Sequence, residues 1–171
     1  VFRRRQRQMC IRDRNNIADS SHAKPIQVKK SNIKFQNVNF SYEKDEVQTL
    51  YSINLEFEGG KMTSLVGHSG SGKSTIMNLI PRFYDIQSGE IFIDDQLISK
   101  LTINSLREQV SMVSQETTLF DDTIKNNIKY ARENATDDEI YHVAKSSFCE
   151  EFISNLPNKY ETLIGENGVR L

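Results

Sequence analysis

The 171-residue chain has no tryptophan, three prolines and only two cysteines. Each shortage narrows what it can be. Cys10 and Cys149 cannot make a disulfide framework, so a reducing compartment is the simpler reading. No stretch approaches the roughly 20 apolar residues needed to cross a bilayer, and no signal-peptide pattern stands at residue 1. At 37% apolar composition, these residues can bury one globular core.

Basic charge is scarce over most of the chain. Residues 1–14, VFRRRQRQMCIRDR, hold six arginines and one acid, which leaves 16 bases against 22 acids over residues 15–171. A basic arm of this kind suits nucleic acid or anionic lipid. Its low complexity and its MCIRD stretch instead resemble a translated sequencing adapter. Residues 1–14 are therefore expected to be non-native and are set aside from the fold. Residues 15–32 are polar, show little periodicity and read as a linker.

Strand signals follow. Ile33 and Phe35 alternate, then Val38, Phe40 and Tyr42 alternate on the opposite parity, which predicts a bulge near Gln36–Asn37. Ile53, Leu55 and Phe57 alternate before a Gly59–Gly60 turn. MTSLV, residues 62–66, is the near-continuous apolar run of a buried parallel strand. EIFIDD reads as a strand of a hairpin between Gly89 and Gln96, and VSMVSQ as a further strand. Helices are expected after residue 72 up to Pro81, at SLREQV, and at DTIKNNIKYA with Asp121 as cap and Ile124 and Ile128 on one face. Thr136 and Glu139 make a capping box for a helix burying Ile140, Val143 and Ala144. A last helix, through Phe152, Ile153 and Leu156, stops at Pro157. The order predicts an α/β fold with an added antiparallel β subdomain and the start of a helical one, and the loop GHSGSGKST at residues 67–75 marks its core as that of a P-loop NTPase.

Glycine is also sparse, yet three of the eight residues fall at 67, 70 and 72, in GHSGSGKST. Gly67, Gly72, Lys73 and Ser74 satisfy G-x-x-x-x-G-K-[ST], with a strand pattern before and a helix pattern after. The chemistry explains the residue types. Glycines let backbone N–H groups close on phosphate oxygens, and the helix N-terminus adds positive potential. Lys73 supplies a cation for the terminal phosphates, and Ser74 offers a hydroxyl to Mg²⁺. The candidate cradle is Gly67, His68, Ser69, Gly70, Ser71, Gly72, Lys73, Ser74 and Thr75. His68 is a variable position with no chemistry of its own. An ordinary glycine-rich turn is the bland alternative.

FSY at 40–42, the glycine loop, SLREQVSMVSQETTLFDDTIKNNI and ETLIGENGVRL together resemble the nucleotide-binding domain of ATP-binding cassette exporters, over residues 33–171. The resemblance implies that Tyr42 stacks on adenine, where edge packing is the alternative. It implies that the Gln115 amide reaches Mg²⁺ and the attacking water, where a solvated strand end is the alternative. Lys73 and Gln115 are thus the catalytic candidates, and Ser74 and Gln115 the metal candidates. Glu166, in TLIGENG, resembles a loop that touches a membrane domain; otherwise Gly165 and Gly168 are plain turn residues.

In the family, a Leu-Ser-Gly-Gly-Gln signature follows, and Leu171 falls on its first residue. The later acidic strand and histidine would lie beyond it. IFIDD has an apolar–acidic shape, but Asp94 and Asp95 follow Lys73 too soon and read as turn residues. The resemblance accordingly implies an ATP- and Mg²⁺-dependent transport ATPase of the lipid or drug exporter group, inactive as these residues alone. Its partners would be a transmembrane domain of the same polypeptide and a second nucleotide-binding domain, as a homo- or heterodimer. No nucleic acid is expected. Its place would be the cytoplasmic face of the plasma membrane. Two rivals remain: a soluble cassette ATPase acting on nucleic acid or ribosomes, and a module that only senses nucleotide.

Overall fold

The computed structural model describes residues 17–42, 49–114 and 118–165. The chain divides into two compact units, Val1–Ser111 and Met112–Leu171.

In the first unit, β1 (Ile33–Phe40), β2 (Leu50–Phe57), β3 (Ser88–Ile93) and β4 (Gln96–Leu97) form one antiparallel sheet in the order β2-β1-β3-β4. The expected break in β1 is present: its register shifts between Phe35 and Val38 against β2, and between Gln36 and Asn39 against β3. Asn37 takes a positive φ of 47° there, its N–H donating to Asn54 Oδ1 at 2.9 Å. The extra residue brings Phe35, Val38 and Phe40 into the core together despite their opposed parity. Asp94 and Asp95, with φ of 47° and 64°, form the tight β3–β4 turn, a backbone that aspartate tolerates.

Helix α1 (Lys73–Leu79) turns Thr75, Ile76 and Leu79 inward, and Pro81 follows its end. After a short 3₁₀ turn at Ile98–Lys100, α2 (Ile103–Glu108) buries Leu106. Ile76, Leu79 and Leu106 join Phe35, Phe40, Leu50 and Ile91 in one apolar cluster.

Residues 17–32, read as a linker, lie along the β3–α2 side of this unit. Lys24 forms a parallel bridge with Leu101, Ile26 donates to Ser105 Oγ at 3.0 Å, and Asp19 Oδ1 accepts from Ile103 at 2.8 Å. Gln27 and Gln96 exchange two hydrogen bonds, at 3.0 and 2.7 Å. The Asp94 carboxylate then accepts from four successive backbone N–H groups, Lys29, Lys30, Ser31 and Asn32, at 2.6, 2.9, 3.0 and 2.9 Å.

Two expected parallel strands differ. Residues 62–66 are outside any strand, with Met62 99% and Val66 90% exposed. Residues 110–114 likewise lie outside any strand. A run apolar on both faces needs strand neighbours on either side and cover above and below. The one sheet among the described residues is antiparallel and takes up neither run.

The second unit is helical. Helix α3 (Ile124–Lys129) is capped by Thr123, whose Oγ1 accepts from Asn126 at 3.1 Å. The expected cap, Asp121, stands too far upstream, because the helix begins at Ile124. Ile124 and Ile128 share a face, as the spacing predicts. Helix α4 (Asp137–Ser146) opens with the Thr136–Glu139 capping box. Ile140 and Ala144, one turn apart, are its buried stripe; Val143, expected inside, is 53% exposed at the stripe's edge. Helix α5 (Glu150–Ser154) buries Ile153, leaves Phe152 half-exposed and is followed by Leu156 and Pro157. Ile124, Ala144, Ile153 and Ile164 make this unit's core.

Candidate functional site

The glycine loop leads straight into α1, and its backbone needs glycine. Gly70 and Gly72 have φ of 78° and 87°, in the left-handed region. At Gly72 the space is closed as well: a Cβ would lie 2.6 Å from Leu50 Cδ2 on β2. Core packing therefore fixes how α1 begins.

Lys73 is held across the loop mouth. Its ammonium donates to the carbonyl of Gly67 at 2.9 Å, to that of His68 at 2.7 Å and to Ser71 Oγ at 3.3 Å. His68 contributes only its backbone, which also accepts from the Ser71 N–H at 3.2 Å. The backbone N–H groups of Gly72, Lys73 and Ser74 have no acceptor among the described residues. Ser74 is exposed beside them, and Ser69 and Gly70 form the exposed turn ahead of them. One ammonium, several free donors and a reachable hydroxyl suit an oxyanion that carries a divalent cation.

Tyr42, just past β1, is joined to this loop. Its hydroxyl lies 3.0 Å from Thr75 Oγ1, and the buried Thr75 is the third residue of α1. The Tyr42 ring meets Phe40 edge-on, at 5.0 Å between centroids and 81° between planes. It is 46% exposed, so part of the ring is open to a ligand. Gln115 and Glu166 lie outside the described residues.

Asp94 belongs to the turn and to the latch on residues 29–32. The N–H groups, led by that of Lys29, hold its carboxyl well below the usual carboxylate range. Among the described residues, no group of three or more His, Cys, Asp or Glu side chains is placed to hold a metal ion.

Sequence reasoning placed Tyr42 and Thr75 in the site but missed the bond between them, because the residues are 33 positions apart. It also missed Tyr84, whose ring packs on both Phe40 and Tyr42. The only sequence signal for Tyr84 was an aromatic pair following Pro81.

A GxxxxGK[ST] loop opening a helix that packs on an antiparallel sheet defines a P-loop domain of mixed α/β architecture. The chain belongs to the ABC transporter family, whose description matches residues 50–169. Two putative multidrug export ATP-binding/permease proteins of Staphylococcus aureus are 46% and 45% identical over 156 residues, 91% of this chain and 27% of theirs. The structure of a bacterial Atm1-family ABC exporter with ATP bound superposes with a TM-score of 0.88 at 39% identity, covering 95% of this chain and 28% of that one. The chain thus spans about a quarter of the length of these relatives.

Proposed function

We propose that the chain is the ATP-binding part of an ABC exporter that couples ATP binding and hydrolysis to transmembrane export of a lipid or hydrophobic substrate. The loop geometry carries this reading: Lys73 Nζ sits 2.9 and 2.7 Å from the Gly67 and His68 carbonyls, and the N–H groups of Gly72, Lys73 and Ser74 have no acceptor among the described residues. Names of the relatives, multidrug export proteins and an ATP-bound exporter, support the direction of transport.

In this reading, Gly67 to Thr75 cradle the phosphates and Lys73 neutralises their terminal charge. Ser74 and Gln115 hold Mg²⁺, which draws electron density from the phosphoryl oxygens when bound. Tyr42 receives the adenine ring, and Gln115 orients the attacking water. The partners are a membrane domain of the same polypeptide and a second nucleotide-binding domain. Closure of the two domains on two ATP molecules drives the membrane domain between states, at the cytoplasmic face of the plasma membrane. Residues 33–171 form part of one such domain, and 1–14 are foreign to it. Hydrolysis belongs to the whole protein, while residues 15–171 alone bind Mg-ATP weakly and turn it over no faster than the background rate.

The genomic reading frame on both sides of these residues tests the proposal. Six apolar spans upstream and a Ser-Gly-Gly-Gln signature downstream are expected. A continuous frame without apolar spans would overturn the exporter reading in favour of a soluble cassette ATPase.

A further inference from the structure

Tyr84 lies on the segment that follows α1, and that segment is pinned along its length. Arg82 turns the chain with a φ of 53° and buries its guanidinium, donating to Asp85 Oδ1 at 2.7 Å and to the Ala18 carbonyl at 3.3 Å. Arg107 of α2 donates to the carbonyls of Pro81 and Arg82, at 3.1 and 2.9 Å, and lies over the Phe83 ring at 5.1 Å. The backbone that carries Tyr84 is therefore tied to α2, to residue 18 and to its own turn.

From this fixed base the Tyr84 ring reaches Tyr42. Their centroids are 5.1 Å apart with planes at 90°, and Tyr84 also meets Phe40 at 5.7 Å. With the Phe40–Tyr42 contact, the three rings form a closed triangle. The third restraint on Tyr42 is its hydroxyl, 3.0 Å from Thr75 Oγ1. A half-exposed tyrosine with two flanking edge contacts and an anchored tip has few rotamers left to lose. A platform that is already held loses less entropy when a flat ring settles on it.

We propose that Tyr84 is a positioning residue of the nucleotide site: it holds the Tyr42 ring in the pose that accepts an aromatic base, so that base affinity depends on Tyr84 while phosphate affinity does not. The inference rests on the reading of Tyr42 as the base platform. It assigns Tyr84 no contact with phosphate. The Tyr84 hydroxyl has no part in it, because the contacts to Phe40 and Tyr42 are made by the ring.

The test compares ATP with inorganic tripolyphosphate, which has the charge but no base, on the purified 171-residue chain. Tyr84→Ala weakens ATP binding about three- to tenfold, the size expected for loss of an aromatic pair, and leaves tripolyphosphate affinity unchanged. Tyr84→Phe binds both like the parent. In a Tyr42→Ala background, Tyr84→Ala adds no further loss, since the two residues act through one ring. Parental ATP affinity in Tyr84→Ala, with weakened affinity in Tyr42→Ala, overturns the inference and leaves the platform intact. An equal loss for ATP and tripolyphosphate also overturns it, as damage to the whole site. Unchanged ATP affinity in both single variants overturns the platform reading of Tyr42, and the inference with it.

Discussion

Replacing Asp94 with asparagine separates the charge of its carboxylate from the shape of the turn. Asparagine accepts the positive φ of 47° at this position as readily as aspartate, so the β3–β4 turn itself is not strained. What changes is the acceptor. Oδ2 takes the N–H groups of Lys29, Lys30 and Ser31, and Oδ1 takes that of Asn32. An amide offers one oxygen without charge, so at least one of the four bonds is lost and the others weaken. At a net 0.5–1.5 kcal/mol each, four bonds bound the effect at about 2–6 kcal/mol. Three of the four are solvent-exposed, where water replaces the acceptor, which places the expected loss near the lower end, about 2 kcal/mol. Amide hydrogen exchange reads this directly. The N–H groups of residues 29–32 should exchange roughly thirtyfold faster in Asp94→Asn, while the β1–β2 ladder keeps its protection. Gly59→Ala attacks the same segment from the other side, because a Cβ there would overlap the Lys30 carbonyl. It should release the same amides. Exchange at 29–32 that is unchanged in both variants would refute the latch. The carboxylate has the complementary pH signature: its folded-state pKa is lowered, so the latch is complete above the ordinary carboxylate range and opens as acid protonates Asp94.

Three further outcomes follow from the same contacts. Tyr42→Ala should weaken ATP binding by about 1–3 kcal/mol in a titration. Tyr42→Phe should keep the stacking face and lose only the bond to Thr75, about 1 kcal/mol, seen mainly in the denaturation midpoint; equal affinities for the Phe and Ala variants would remove the stacking role. Gly72→Ala should destabilise the first unit by about 1–2 kcal/mol through its left-handed φ, plus the displacement of Leu50 Cδ2, measured by denaturant unfolding. In the second unit, burial and the hydrogen bond to Glu150 push Tyr160 up to about 12. Its contribution is complete below the ordinary tyrosine value of 10.0 and is lost as pH rises from there to about 12. Alkaline unfolding of the helices in that window, abolished in Tyr160→Phe, is the expected result.

How much of this was legible in the sequence depended on where the signal lay. The parity change from Ile33 and Phe35 to Val38 and Phe40 announced the bulge, because a strand's side chains alternate strictly. The capping box at Thr136 and the glycine loop were equally plain, since each is carried by side chains a few residues apart. The docking of residues 17–32 was not, because Asp94 reads backbone N–H groups, which every sequence has. Asp121 and Thr123 were both acceptable caps, and only the start of α3 at Ile124 decides between them. Residues 62–66 carry a correct strand composition without strand neighbours among the described residues. The triangle of Phe40, Tyr42 and Tyr84 joins two chain segments about 40 residues apart, which local pattern does not connect.

The central claim, that the Gly67–Thr75 loop is an ATP site built around Lys73, is tested most directly by calorimetric titration of Mg-ATP into the parent and Lys73→Ala. The substitution removes the ammonium now held 2.9 and 2.7 Å from the Gly67 and His68 carbonyls. A charge-assisted contact to phosphate is worth about 1.5–3 kcal/mol, so ATP affinity should fall by roughly tenfold or more, with AMP affinity much less affected. Equal ATP affinity in the two proteins would contradict the account.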